Sequence, residues 1–228
     1  ILKNKLPIRD FWIFTGLLVD YMEAFFLLLF GNNWSSHILH ASSMNVIASL
    51  SLYYFLRNIN FDIKFSVFYT LSFATLCYPV SGTPFAYLHA YIFSLITIFI
   101  LFLAIKNRLN STWFLLPIFC FLAFVSMQTP SAYIIFLVII FSIFYFLKEK
   151  KTNNLKYFIF GNFFCILFLF FYLIATKTPL ENFLYQYIFF PLTVGAGRLG
   201  SSETAYLGLI DQLNIKRIFG EFKFIHIF

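Results

Sequence analysis

The sequence predicts an all-α, polytopic transmembrane helical bundle, with about six spans and one interfacial juxtamembrane helix. Three observations carry this. Of 228 residues, 61% are apolar and only 25 carry formal charge, 16 basic and 9 acidic, against roughly 45–50% apolar for an ordinary globular domain. The apolar residues fall in runs too long and too unbroken for a transmembrane barrel, such as Tyr133 to Leu147. Short polar or basic tracts divide these runs at intervals that fit helices of about 20 residues.

The elements follow in order. Phe11 to Phe30 is apolar but holds Asp20 and Glu23, which share a helical face with Thr15 and Gly16. Such an acidic stripe suits a helix that lies at the interface or packs the stripe inward. Spans are then expected at about His37–Tyr54, Phe65–Tyr78, His89–Ile105, Trp113–Met127, Ala132–Leu147 and Tyr157–Ala175. The second stops at the proline-glycine break PVSGTP and the fourth turns at QTPS. The expected organisation is one transmembrane domain, a fragment of a longer protein: residues 1–34 as an outer loop and juxtamembrane helix, 35–176 as the six-span core, and 177–228 as an outer segment leading to a further span.

The net charge of +7 resides largely in the tracts between spans, so it reads as a topology signal and not as nucleic-acid binding. Arg57, Lys64, Lys106, Arg108, Lys148, Lys150, Lys151 and Lys156 lie in alternate connections, and PVSGTP and QTPS hold neither Lys nor Arg. The basic connections are expected in the cytoplasm. The N-terminal segment, PVSGTP, QTPS and everything after Ala175 then share the opposite face. Cys77, Cys120 and Cys165 fall in separate apolar runs without metal-ligand spacing and read as packed small residues.

Seven of the nine carboxylates lie on that opposite face or near its boundary, where an ionisable group is costly unless paired or wet. Asp20 and Glu23 are therefore candidate binding residues; the plainer reading pairs them with Arg9 or Lys5, or turns them to headgroups. His37 and His40, three apart at a helix start, could ligate zinc or contact a phosphate. The plainer reading is a helix start capped by NNWSS. His89 follows the PVSGTP break, where free backbone amides suit an anionic ligand; otherwise it is a buried histidine satisfied by a nearby carbonyl. Gln128 lies beside Pro130 at an expected outer turn. Lys177, Arg198, Lys216 and Arg217 put positive charge where a lipid phosphate would sit, and headgroup attraction accounts for the same charges.

The phrases ILKNKLPIRDFW, GLLVDYMEAFFLLLFG and WSSHILHASSMN together resemble a recurrent stretch of the GT-C superfamily of integral-membrane glycosyltransferases. The nearest branch is that of the protein O-mannosyltransferases and aminoarabinose transferases. Pro7, Arg9, Asp10 and Phe11 match the family's loop phrase, and Phe30-Gly31 matches the end of its juxtamembrane helix. PVSGTPFAYLHA is similar to the second outer loop, with His89 where many relatives carry an acid, and SMQTPSAY is similar to a turn with Lys near Gln128. The family's early catalytic acid would lie upstream of Ile1.

The resemblance implies transfer of a sugar from a polyprenyl-phosphate-linked donor to an envelope acceptor. The setting it implies is a bacterial inner membrane with the active face toward the periplasm. Asp10 would orient the acceptor or support the upstream base, with Arg9 beside it. Lys177 and Arg198 would contact phosphate, and Asp20, Glu23, His89 and Gln128 would line the substrate site. The partners implied are membrane lipid and the lipid-linked sugar; the resemblance assigns no definite cofactor beyond that donor and leaves a divalent metal open. A transporter or flippase, an O-antigen polymerase or ligase, and a non-catalytic membrane partner are the competing readings. The gathering of polar groups at one face and the lack of an internal repeat favour a surface active site.

Overall fold

The computed structural model describes residues 5–13, 16–78, 82–149 and 152–193. Arg198, Lys216, Arg217 and GAGRLGSS lie outside them. Most of the described residues are helical, with a first unit ending at Phe183. Its helices are α1 (Leu17–Phe30), α2 (Trp34–Asn58), α3 (Ile63–Leu76), α4 (Ala86–Asn107), α5 (Asn110–Ser126), α6 (Gln128–Glu149) and α7 (Thr152–Thr176), followed by the short α8 (Leu180–Leu184). A second unit starts at Leu184, and its described part contains a π-helical turn over Tyr185–Phe189.

Local chemistry sets several boundaries. The Asn33 side chain caps α2 by accepting from Ser36 N at 3.1 Å, so the expected cap in NNWSS forms. Asp62 caps α3 by accepting from Lys64 N at 2.8 Å. Gly31 ends α1 with φ 86°, a conformation that side chains disfavour. QTPS is not a turn: the break is the single extended residue Met127, and Gln128 already begins α6. Pro130 falls in the first helical turn, where a missing N–H costs nothing.

α4 is the central helix. Its apolar stretch is 56% buried, against 22% for α6 and 17% for α7. Near one end, Ile92, Phe93 and Ile96 of α4 pack with Met44 and Ala48 of α2 and Ala123 of α5. Near the other, Leu101 and Ala104 pack with Trp113, Leu116, Val138 and Tyr145. α6 and α7 turn rows of large apolar residues outward, including Phe136, Phe144, Phe163, Phe164 and Phe171. In water such a surface would associate; against lipid chains it is the ordinary exterior.

Two close approaches lock the helices. A Cβ on Gly16 would lie 1.5 Å from the Ser126 carbonyl oxygen, and one on Gly161 would lie 2.4 Å from that of Phe114. Only a residue without a side chain lets α7 meet α5, or the start of α1 meet the end of α5, at these distances.

α4, α6 and α7 are long and apolar enough to cross a membrane. α2 has 25 residues, but its Ser, His and Asn residues keep it out of that group. α3, at 14 residues, and α5, at 17, reach about 21 and 26 Å at about 1.5 Å per residue, short of a hydrocarbon core of about 30 Å. Three spans thus meet the length and apolarity requirements among the six expected.

The bundle has two chemically distinct ends. At one, Lys106 Nζ donates to the Asn58 carbonyl at 3.1 Å and Arg108 pairs with Glu149 at 3.1 Å. At the other, Arg9 reaches the last turn of α7, Gly16 abuts Ser126, and the starts of α2 and α4 meet through their histidines. These are the Lys106 end and the Arg9 end below.

Candidate functional site

The N-terminal segment is held by Asp10. Its Oδ2 accepts from Leu6 N at 2.8 Å and from Arg9 Nη2 at 2.8 Å, and its Oδ1 accepts from Arg9 Nε at 3.0 Å. Inside this turn Ile8 takes φ 70°, a left-handed conformation rare for a β-branched residue, and its side chain is buried. The two hydrogen bonds from the Arg9 guanidinium, then the Leu6 amide, hold the Asp10 carboxyl down at about 2. Arg9 is in turn pushed up by Asp10. An acid of that strength is a poor proton acceptor near neutral pH, so Asp10 suits orientation better than base catalysis.

Arg9 uses its remaining nitrogen, Nη1, to donate to the Thr176 carbonyl at 2.9 Å. This carbonyl ends α7, where helical partners run out and a cation is favoured. Thr176 also lines an apolar groove of about 350 Å³ between α1, α5 and α7. Leu17, Tyr21, Phe121, Phe168 and Tyr172 are among the other lining residues. The hydroxyls of Tyr21 and Tyr172 meet at 3.3 Å, and their rings cross edge to face with centroids 5.9 Å apart. The volume lies within the roughly 300–1,000 Å³ typical of ligand pockets. Charge at one end and apolar walls along the rest give the layout of a site for an amphiphile.

Glu23 faces another way. At about 100° per residue it lies about 160° around α1 from Tyr21 and about 120° from Leu17, so it turns from the groove toward α2 and α4. Its Oε2 lies 2.6 Å from His40 Nδ1, and its Oε1 lies 2.5 Å from His37 Nδ1 without the alignment of a hydrogen bond. His40 Nε2 lies 3.0 Å from His89 Nε2, and His89 Nδ1 lies 2.9 Å from the Phe85 carbonyl oxygen. His40 and His89 are fully buried; His37 and Glu23 keep partial access to solvent. Phe26 stacks on His40 with ring centroids 4.9 Å apart.

The structure therefore divides the expected site residues into two groups. Arg9 and Asp10 stand together beside the groove, and Lys177 follows Thr176 as an exposed residue with φ 53°. Glu23, His37, His40 and His89 form the second group. Glu23 does not pair with Arg9 or Lys5, since Arg9 is committed to Asp10 and α1 turns Glu23 toward the histidines. His89 is buried on a carbonyl, as its plainer reading has it, and also meets His40. Asp20 is half-buried on α1, and Gln128 is half-buried at the start of α6. Among the described residues no group of three or more His, Cys, Asp or Glu is placed to hold a metal ion. Tyr21, Tyr172 and Thr176 are groove residues that sequence reasoning missed; nothing but tertiary packing marks them.

No family model, curated protein or solved structure matches this chain.

Proposed function

We propose that the chain is a membrane-embedded transferase. It moves a sugar from a polyprenyl-phosphate-linked donor to an envelope acceptor at the membrane face formed by the Arg9 end. The observation that carries this reading is the apolar groove whose lining ends on Thr176, the residue that anchors Arg9 and through it Asp10. An isoprenoid chain suits the groove. The phosphate would then lie near Arg9 and Lys177, whose charges favour the departing lipid phosphate. Ionised Asp10 would hold an acceptor hydroxyl by accepting its hydrogen bond, a positioning role in line with its low proton affinity. The short Arg9-Asp10-Phe11 resemblance supports the same reading, and with it six spans and a periplasmic face.

The Glu23–His40–His89 chain, buried at its two histidines, favours a second reading, proton-coupled transport, because carboxylate and imidazole groups within a membrane protein mark proton pathways. The chain ends on the Phe85 carbonyl at the Arg9 end and does not continue along α4, so transfer at one face ranks first.

The test uses the full-length protein in lipid nanodiscs, supplied with a radiolabelled sugar on polyprenyl phosphate and an envelope extract. Transfer by the wild type, reduced at least tenfold in Asp10→Asn at equal folded protein, is expected. Wild-type protein that transfers nothing, or an Asp10→Asn variant as active as wild type, would refute the proposal.

A further inference from the structure

The distances in the Glu23 cluster fix how many protons it holds. The Phe85 carbonyl can only accept, so the hydrogen on that 2.9 Å link belongs to His89 Nδ1. The 3.0 Å link between the two Nε2 atoms and the 2.6 Å link between His40 Nδ1 and Glu23 Oε2 each need one hydrogen as well. Otherwise lone pairs would face each other. Three links therefore hold three protons, whereas a carboxylate with two neutral imidazoles supplies two.

We propose that Glu23, His40 and His89 form one acid–base site that binds a single exchangeable proton in common. The bound proton makes the cluster neutral whether it rests on Glu23, His40 or His89, and neutrality is what burial favours. Exchange with solvent runs through the partly exposed Glu23 and His37, since the inner end is closed by a carbonyl that takes no proton. The titratable groups acting on His40 are Glu23 of α1 and His37 of α2, and the one acting on His89 is His40; among the described residues no lysine or arginine acts on either ring.

Loss of the proton opens one link of the chain that joins α1 to α2 and α4. Near neutral pH the folded cluster binds one proton more than the same residues unfolded, so over that range its contribution to stability falls as pH rises; below the ordinary histidine value of about 6.5 the unfolded imidazoles take up protons too and the contribution falls again. α1 is also a wall of the groove, so the same loss loosens that wall. The proposal does not depend on which substrate the groove takes.

The test is ¹⁵N NMR of histidine-labelled full-length protein in nanodiscs, in the wild type and in Glu23→Gln. A glutamine amide can donate to neutral His40 Nδ1, so this variant keeps all three links without the extra proton. In the wild type, the His40 and His89 signals should move together in one step as pH rises. That step should vanish in Glu23→Gln. Independent titration of the two rings in wild-type protein overturns the proposal, as does a common step that persists in Glu23→Gln. So does a stoichiometric metal ion whose removal by chelator changes the signals. The wild-type spectrum decides even where the variant does not fold.

Discussion

Glu23 Oε2 and His40 Nδ1 lie 2.6 Å apart between α1 and α2, and this contact joins residues 17 apart in sequence to a third, His89, on α4. It ties α1 to the centre of the bundle through polar groups. Phe26 stacks on the His40 ring and removes it further from water.

Breaking the tie should destabilise the protein. Replacing His40 with Ala leaves Glu23 Oε2 and His89 Nε2 without the partner they share, at a cost of about 1–3 kcal/mol or more. Thermal unfolding in detergent should show a lowered midpoint. The double variant with His89→Ala should lose less than the sum of the two single changes, because the contact is shared.

The close approaches of Gly16 and Gly161 make a steric prediction. A methyl group at either position meets a backbone carbonyl that cannot rotate away. Gly161→Ala should therefore force α5 and α7 apart and cost about 1–3 kcal/mol, the usual range for overpacking. Gly16→Ala should detach the start of α1 from Ser126. Unfolding midpoints with Gly31→Ala, whose positive φ adds strain without such a collision, separate the two effects.

Asp10 should remain ionised to about pH 2. Since its folded value lies below the ordinary carboxyl value of about 3.9, the stability it contributes is present above that ordinary value. It is lost as pH falls through about 2. In Arg9→Gln the Asp10 titration should move up toward the ordinary value, and protease cleavage near Ile8 should accelerate as the segment leaves Thr176. Side-chain carboxyl NMR and limited proteolysis read these two effects.

Much of the fold is legible in the sequence because apolar runs and basic tracts record helix position and sidedness. The expected span His89–Ile105 corresponds to Ala86–Asn107, and Tyr157–Ala175 to Thr152–Thr176. These two expected elements are short at both ends because hydropathy does not register polar residues such as Asn107 or Thr152 that continue a helix. QTPS misleads because a proline in a first turn has the same local signature as one that ends a helix. The expected second span is shorter than read, since α3 stops at Leu76 before the break.

The candidate site is less legible. Arg9 and Asp10 are adjacent, so their pairing follows from the chain itself. Glu23, His40 and His89 carry no such signal: each has a plain reading alone, and only packing of α1, α2 and α4 makes them one group. The groove is hidden for a related reason, as Phe121, Phe168 and Tyr172 look like any other aromatic residues in a chain with 36 Phe and 14 Tyr.

The most direct test of the proposed function asks what fills that groove. Full-length protein in nanodiscs would be labelled with a photoreactive polyprenyl phosphate and the modified peptides located by mass spectrometry. Labelling concentrated on Phe121, Phe168 and Tyr172, suppressed when Val125, which also lines the groove, is replaced in Val125→Trp, and weakened in Arg9→Gln, is the predicted result. Labelling spread evenly over outward residues such as Phe144, Phe163 and Phe171, and unchanged in both variants, would contradict it.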